Sequence, residues 1–206
     1  MVDPTAFGCA DLSFSWGDHI CTVYEDYDQQ MTVMLPFMSQ GLQAGQRCVW
    51  VSSPASAQRF REALAGIGSD RLTLEASGQL VIVDEIGFYV HDGLFRPDRT
   101  LALGRALLLD GQRQGYPTMR IAAEASWLPD YRVDVGTWEG YELAVTQRIE
   151  TAPVVAVCQY PARRLSGEAI LAALRTHPIV IMGETVYQNP FFSPPVSSAS
   201  GRPGVM

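Results

Sequence analysis

The sequence predicts an α/β fold, a three-layer α/β/α sandwich built around a mostly parallel central sheet. Short apolar runs alternate with amphipathic helical patterns along the chain, which is typical of parallel strands joined by helices. Runs such as 48–51 and 80–83 are apolar at nearly every position, as expected for strands covered by helices on both faces. The length of 206 residues suits a single well-buried domain.

The elements follow one another in a regular order. After an N-terminal arm, 1–16, the first strand is predicted at 19–24 and the first helix at 29–44, where Pro36 predicts a kink or a late helix start. The pattern then predicts strand 48–51, helix 55–66, edge strand 72–74, strand 80–83, loop 86–97, helix 98–114, strand 119–123, helix 136–150, strand 154–158, helix 166–176, strand 179–182 and a last strand or turn at 184–187. Residues 17–192 thus form one domain, and the Pro-, Ser- and Gly-rich residues 193–206 are predicted to be a flexible tail.

Composition excludes several classes of function. All 15 basic residues are arginine, so a phosphate-binding or Schiff-base lysine is impossible. The turn at 24–28 has three carboxylates and no glycine where a nucleotide phosphate would sit, which argues against ATP. The net charge of −7 argues against direct binding of nucleic acid or an anionic membrane surface. Neither a signal peptide nor an apolar run long enough for a membrane span is evident, so a cytoplasmic protein is expected.

The four cysteines, Cys9, Cys21, Cys48 and Cys158, are scattered and are predicted to be free thiols, mostly buried. His19 and Cys21 share one face of the first strand, but no second His/Cys pair is evident to complete a tetrahedral metal site. We therefore expect neither a metal nor a cofactor.

The predicted binding site lies beyond the carboxyl ends of the strands, where parallel sheets form their ligand crevice. Acidic and aromatic residues at these ends predict a pocket for a small neutral or cationic molecule. Its predicted lining is Tyr24, Glu25, Ser52, Glu124, Trp127, Gln159 and Tyr160. The first strand and the strand ending at Glu124 are expected to be neighbours, which would bring Glu25 and Glu124 into one pocket, with Trp127 as an aromatic at its rim.

Three other polar residues have two possible roles each. His19 lies at the opposite end of its strand from the crevice, where it is either structural or a pH- or ligand-sensing residue. His177, at a helix-to-strand corner, either binds a helix-end carbonyl or acts as a catalyst. Glu142 is expected to face solvent or a protein partner.

Seven short motifs resemble one known family. They are His19-Ile20-Cys21, Tyr24-Glu25, Gly41-Leu42-x-x-Gly45-x-x-Cys48, Glu124-x-Ser126-Trp127, Tyr141-Glu142, Cys158-Gln159-Tyr160 and Leu174-Arg175-Thr176-His177-Pro178. In this order they resemble the MEDS sensory domain (methanogen/methylotroph, DcmR sensory domain) over about residues 17–192. The resemblance implies a RecA/KaiC-like fold without the phosphate-binding loop. It also implies a non-catalytic sensory domain that works with a histidine kinase, an anti-sigma regulator or a transcription regulator, here expected to be a separate chain.

The competing hypothesis is an enzyme. Glu25, Glu85 and Glu124 are candidates for a carboxylate-based or divalent-cation-dependent hydrolase, although no G-x-S-x-G or H-E-x-x-H motif is present. Five aromatic residues in loops are predicted to be exposed, and some of them are expected to be buried in a homodimer or against a partner. These are Phe88, Tyr89, Phe95, Phe191 and Phe192.

Overall fold

The computed structural model describes residues 14–194, and these form a seven-stranded sheet between two layers of helices. In chain order the elements are β1 His19–Tyr24, α1 Tyr27–Gln43, β2 Arg47–Ser52, α2 Pro54–Gly66, α3 Arg71–Ala76, β3 Leu80–Asp84, α4 Glu85–Tyr89, β4 Val90–His91, β5 Leu94–Phe95, α5 Pro97–Arg113, β6 Met119–Glu124, α6 Val135–Ile149, β7 Val154–Pro161, α7 Gly167–Thr176, β8 Ile179–Met182 and β9 Thr185–Gln188. Within the described residues, the strand order of this sheet is β3-β2-β6-β7-β1-β8-β9, and in it only β9 is antiparallel to its neighbour. The predicted fold class is confirmed.

Both faces of the sheet are covered, and alternate side chains of each central strand enter different cores. In β2, Cys48 and Trp50 pack into the core under α1 and α2, whereas Val49 and Val51 pack into the core under α4 to α7. Because both sets of side chains are buried, the strand is apolar at consecutive positions rather than at alternate ones.

Helix α1 begins two residues earlier than predicted. Asp26 caps it by accepting a hydrogen bond from the backbone N–H of Gln29, and the helix continues through Pro36 to Gln43. The expected late start at Pro36 is therefore wrong.

Residues 72–74 are helical, not an edge strand. Asp70 caps α3 by accepting from the backbone N–H of Thr73, and Leu72 is 67% exposed. A Leu-Thr-Leu triplet fits either period, so here the cap decides the structure.

The predicted loop 86–97 contains regular structure. Asp84 caps the short helix α4, and the β4–β5 hairpin turns at Asp92 and Gly93, both with positive φ. This arrangement buries Phe88 and Tyr89, so the expectation that they are exposed is wrong.

Strand β7 separates two strands that were expected to be neighbours. β1 pairs with β7 and β8, and the strand that ends at Glu124, β6, pairs with β2 and β7. The expected β1–β6 pairing is therefore wrong.

The predicted arm, 1–16, and the predicted tail, 193–206, lie mostly outside the described residues. Phe14, within the predicted arm, packs into the core under α1, whereas residues 1–13 and 195–206 lie outside the described residues. Within 14–194, no helix combines the length and the apolar character that crossing a bilayer requires.

Candidate functional site

Two glutamates are buried beyond the carboxyl ends of β3 and β6. Glu124, at the end of β6, accepts hydrogen bonds from Gln30 Nε2 at 2.9 Å and from the Ser56 hydroxyl. Glu85, at the start of α4, accepts from Ser126 Oγ at 3.0 Å. Burial raises the pKa of Glu85 to about 7, with a further contribution from the charge of Glu124. Burial also raises the pKa of Glu124, so this pair holds protons more strongly than carboxyls in water do.

Besides Glu124, three of the predicted site residues take part in this cluster or lie beside it. Gln30 Nε2 also donates to Gln159 Oε1 at 2.8 Å, which joins Gln159 to Glu124. Burial, together with the charges of Glu124 and Glu85, raises the pKa of Tyr24, so its phenol lies near both carboxyls. Ser52 is buried at the end of β2, where its hydroxyl donates to the carbonyl of Ser53.

Glu25 does not join the cluster. Its side chain is 63% exposed and pairs with Arg163 at 2.9 Å, so the expected pocket shared by Glu25 and Glu124 is wrong. The proposed hydrolase would need Glu25 beside Glu85 and Glu124, and only the latter two come together.

Trp127 and Tyr160 are core residues rather than rim residues. Trp127 is 1% exposed and stacks on Tyr89, with ring centroids 4.7 Å apart. Tyr160 is fully buried and faces α6, whereas its neighbour Gln159 faces α1. Successive strand side chains point to opposite faces, so Gln159 and Tyr160 could not line the same pocket.

The helix end that would hold a phosphate is already occupied. Asp26 accepts the N–H of Gln29, and the side-chain oxygen of Gln29 accepts the N–H of Glu25 at 2.7 Å. The donors at the β1–α1 turn are thus used within the chain, and carboxylates surround them.

A second cluster lies on the α6 side of the sheet, away from the strand ends. It consists of His19 from β1, Glu142 from α6, Cys158 from β7 and His177 after α7, and all four are buried. His19 Nε2 lies 3.3 Å from Cys158 Sγ and 3.4 Å from Glu142 Oε2. Glu142 Oε2 lies 3.7 Å from both His177 Nε2 and Cys158 Sγ. Among residues 14–194, this is the group whose donor atoms could hold a metal ion. We call it the His–Cys–Glu cluster.

Burial sets the proton affinities within the His–Cys–Glu cluster. It lowers the pKa of His177 to about 4, and it also lowers the pKa of His19, with the charge of His177 as a second cause. It raises the pKa of Glu142 to about 8, against the hydrogen bond from Tyr160. All three shifts favour the uncharged forms of these groups.

The sequence only partly anticipated this cluster. Glu142 was expected at the surface and is fully buried, and the pair expected to be missing is supplied by Cys158 and His177. His177 Nδ1 lies 2.8 Å from the carbonyl of Ala173, which confirms its predicted role at a helix end. Each cluster member stands in a different motif of the ordered series, and that shared feature was the available signal.

A cavity of about 810 Å³ lies between α5, α6 and the sheet. Its walls are largely apolar and include Leu101, Leu108, Ile121, Tyr141 and Ile149, with Cys158 also in contact with it. Helix α5 packs loosely beside this cavity: of its residues only Thr100 and Gly111 are buried, while its leucines are partly exposed.

A model of the family described as MEDS, the methanogen/methylotroph, DcmR sensory domain, matches residues 18–178. The chain belongs to the MEDS family. The matched span contains the whole His–Cys–Glu cluster as well as Glu85 and Glu124. Membership in this family supports a sensory or regulatory role.

Two known proteins resemble this MEDS domain. The transcriptional repressor DcmR of Methylorubrum extorquens is 22% identical over 173 residues, which cover 82% of this chain and 61% of the repressor. The chain thus spans about three fifths of the length of this relative. The crystal structure of a KaiC-like protein from Pyrococcus horikoshii OT3 superposes with a TM-score of 0.58 at 16% identity, covering 82% of this chain and 72% of that one. The predicted RecA/KaiC-like fold is confirmed.

Proposed function

We propose that this chain is a non-catalytic sensory domain that binds a small, mainly apolar molecule in the cavity under α5. The observation that carries the proposal is the cavity itself. At about 810 Å³ it falls within the range of about 300–1,000 Å³ that is usual for small-molecule sites, and its walls are mostly apolar with a few polar groups.

Helix α5 is the element that would report occupancy. Leu101 and Leu108 line the cavity and are only partly buried, so a ligand would remove further apolar surface from water and order the helix. Leu109, which also lines the cavity and is 42% exposed, would then present a changed surface to a partner.

The proposed partner is a separate signalling protein: a histidine kinase, an anti-sigma regulator or a transcription regulator. The similarity to a transcriptional repressor supports this class. Cys21, Cys48 and Cys158 are free and buried, which fits the reducing cytoplasm as the proposed location. We also propose a homodimer, because Phe191 is 65% exposed and a second copy would cover it. Light scattering, which measures the molar mass in solution, tests this proposal.

The carboxyl-end cluster is a second proposed place for a ligand. Gln159 Nε2 is buried and has no hydrogen-bond partner within the described part of the chain, and Gln30 joins the same side chain to Glu124. A small neutral or cationic molecule with an acceptor for this amide would satisfy it, with Tyr24 beside it. The variant Glu124→Gln changes this cluster and not the lining of the α5 cavity, so it distinguishes the two proposed sites.

Two matched glycines allow a sharp test of the cavity. Gly104 in α5 and Gly140 in α6 both have open space where a side chain would project, but only Gly104 lines the cavity. Leucine at either position suits a helix better than glycine does. Gly104→Leu therefore occupies the cavity, and Gly140→Leu is its control.

The probe is the apolar dye 1-anilinonaphthalene-8-sulfonate, followed by its fluorescence, together with native mass spectrometry of the protein as purified. We expect wild type and Gly140→Leu to bind the dye alike and Gly104→Leu to bind about tenfold more weakly, or about 1.4 kcal/mol. A molecule retained by the wild type should be lost from Gly104→Leu. Equal binding by all three proteins would overturn the cavity as the site. Loss of a retained molecule only in Glu124→Gln would move the site to the carboxyl-end cluster.

A further inference from the structure

We propose that the His–Cys–Glu cluster binds one zinc ion, held by His19 Nε2, His177 Nε2, Cys158 Sγ and one carboxylate oxygen of Glu142. This metal site is distinct from the proposed ligand position in the cavity under α5, and Cys158 borders both. Its evidence is the spacing of the donor atoms, the hydrogen bonds around them and the balance of charge.

The donor spacing matches a tetrahedron around zinc. Zinc bonds of about 2.0–2.3 Å place neighbouring tetrahedral ligand atoms about 3.3–3.8 Å apart. His19 Nε2 lies 3.3 Å from Cys158 Sγ and 3.4 Å from Glu142 Oε2. Glu142 Oε2 lies 3.7 Å from His177 Nε2 and 3.7 Å from Cys158 Sγ. Four of the six edges therefore have the right length, and all donor atoms lie within 4.8 Å of one another.

The hydrogen bonds of the two histidines turn their Nε2 lone pairs toward this point. Thr146 Oγ1 lies within hydrogen-bond distance of two backbone carbonyls, those of Glu142 and Thr176, and its one hydrogen is directed to them. Its oxygen therefore accepts a hydrogen bond from His19 Nδ1, at 2.8 Å. His177 Nδ1 donates to the carbonyl of Ala173 at 2.8 Å. Histidine ligands of metals are usually fixed in this way, by a hydrogen bond from the other ring nitrogen.

The carboxylate is oriented in the same manner. Tyr160 donates its hydroxyl hydrogen to Glu142 Oε1 at 2.7 Å, which leaves Oε2 for the centre of the cluster. A hydrogen-bonded carboxylate ligand is the expected partner of such a metal.

The charges also balance. A zinc ion bound by one thiolate, one carboxylate and two neutral imidazoles gives a centre with zero net charge, which suits a fully buried position. On binding, the protons of the Cys158 thiol and of a protonated Glu142 leave to solvent. Two nitrogens, one sulfur and one carboxylate oxygen form a donor set that suits zinc and is too soft for Mg²⁺ or Ca²⁺.

The competing arrangement is a metal-free hydrogen-bond network, and it leaves one atom unsatisfied. His177 Nε2 is buried without a hydrogen-bond partner among residues 14–194, and its 3.7 Å separation from Glu142 Oε2 is too long for a hydrogen bond. A metal would bind this nitrogen. Cys158, 8% exposed and in contact with the cavity, marks the route by which an ion enters.

The test begins with the full chain purified without chelators and analysed for metals by inductively coupled plasma mass spectrometry. We expect one zinc per chain. The metal-free protein is then titrated with Co²⁺, which in a tetrahedral thiolate site gives visible d–d bands and a near-ultraviolet thiolate-to-cobalt band. Cys158→Ser should abolish the thiolate band. Cys48→Ser, which removes a buried thiol from the opposite core, should leave it intact.

Thr146→Val provides a milder variant that keeps every proposed ligand. It removes the acceptor for His19 Nδ1, so zinc affinity should fall by about 10–100-fold while circular dichroism stays native. The proposal is overturned if wild type neither contains zinc nor shows the cobalt bands. It is also overturned if Cys158→Ser keeps the thiolate band, if Thr146→Val binds zinc as wild type does, or if a different metal occupies the site.

Discussion

Glycine 41 lies where α1 passes over the central strands, and its replacement by alanine is a direct test of how tightly this core is packed. A Cβ atom at this position would lie 2.7 Å from Arg120 Cδ, 2.8 Å from Arg120 Nε and 2.8 Å from Cys48 Sγ. All three distances are shorter than real Cβ contacts, so Arg120 or Cys48 would have to move.

Neither neighbour has room to do so. Arg120 is 1% exposed, its Nε donates to Gln46 Oε1 at 2.6 Å, and its Nη1 donates to the carbonyl of Phe37. Cys48 is fully buried. Overpacking of this kind costs about 1–3 kcal/mol, and the helix propensity of alanine returns up to about 1 kcal/mol. We expect Gly41→Ala to be less stable by about 1–2 kcal/mol.

Thermal unfolding followed by circular dichroism measures this difference. For a chain of this size the loss corresponds to a melting temperature lower by about 2–8 °C. Gly66→Ala is the control, because this helical glycine at the end of α2 has open space around it and should show no loss. If Gly41→Ala melts at or above the wild-type temperature, the close approach of α1 to Arg120 does not limit the packing. A similar loss in Gly66→Ala would show that the effect is not local.

Three further predictions concern Glu85, Trp127 and the capped start of α1. Because burial raises the pKa of Glu85 from 4.5 to about 7, its contribution to stability is complete below pH 4.5 and is lost as the pH rises through 7. Glu85→Gln should therefore gain about 1–2 kcal/mol relative to wild type between about pH 5 and pH 8, since solvent screens part of the effect, and equal differences in urea unfolding at both pH values would refute this. Trp127→Ala should cost about 3–5 kcal/mol, since its ring packs in the core, whereas Phe191→Ala should change stability by less than about 0.5 kcal/mol. Calorimetry with ATP and Mg²⁺ should detect no micromolar binding, because Asp26 caps α1, and such binding would contradict this interpretation.

The sheet could be predicted from the sequence because its strands are buried on both faces. A run such as 48–51 has few alternatives, and a strand covered by two layers of helices leaves a continuous apolar pattern. Short segments carry less information. Residues 72–74 fit a strand or a helix equally well, and a single hydrogen bond from the N–H of Thr73 to Asp70 accompanies the helical outcome.

The site was harder to predict because it depends on strand order and on which face each side chain takes. Gln159 and Tyr160 are adjacent in sequence, yet they contact helices on opposite sides of the sheet. The His–Cys–Glu cluster joins residues as far apart as 19 and 177, so no local spacing marks it. Only the pairing of β1 with β7 and β8 brings them together.

Helix α5 is attached to the rest of the domain near its two ends. Near its start, the hydroxyl of Thr100 bonds to the carbonyl of Phe88, and near its end Gly111 lies against Arg47, which pairs with Asp110 at 2.9 Å. Between these two contacts the helix lies over the cavity. A helix held in this way changes shape by bending at its middle or by losing one of its end contacts. The contact at Asp110 is an ion pair to Arg47 in β2. A ligand beneath α5 would therefore act through Asp110 and Arg47 on β2, the strand next to the edge strand β3.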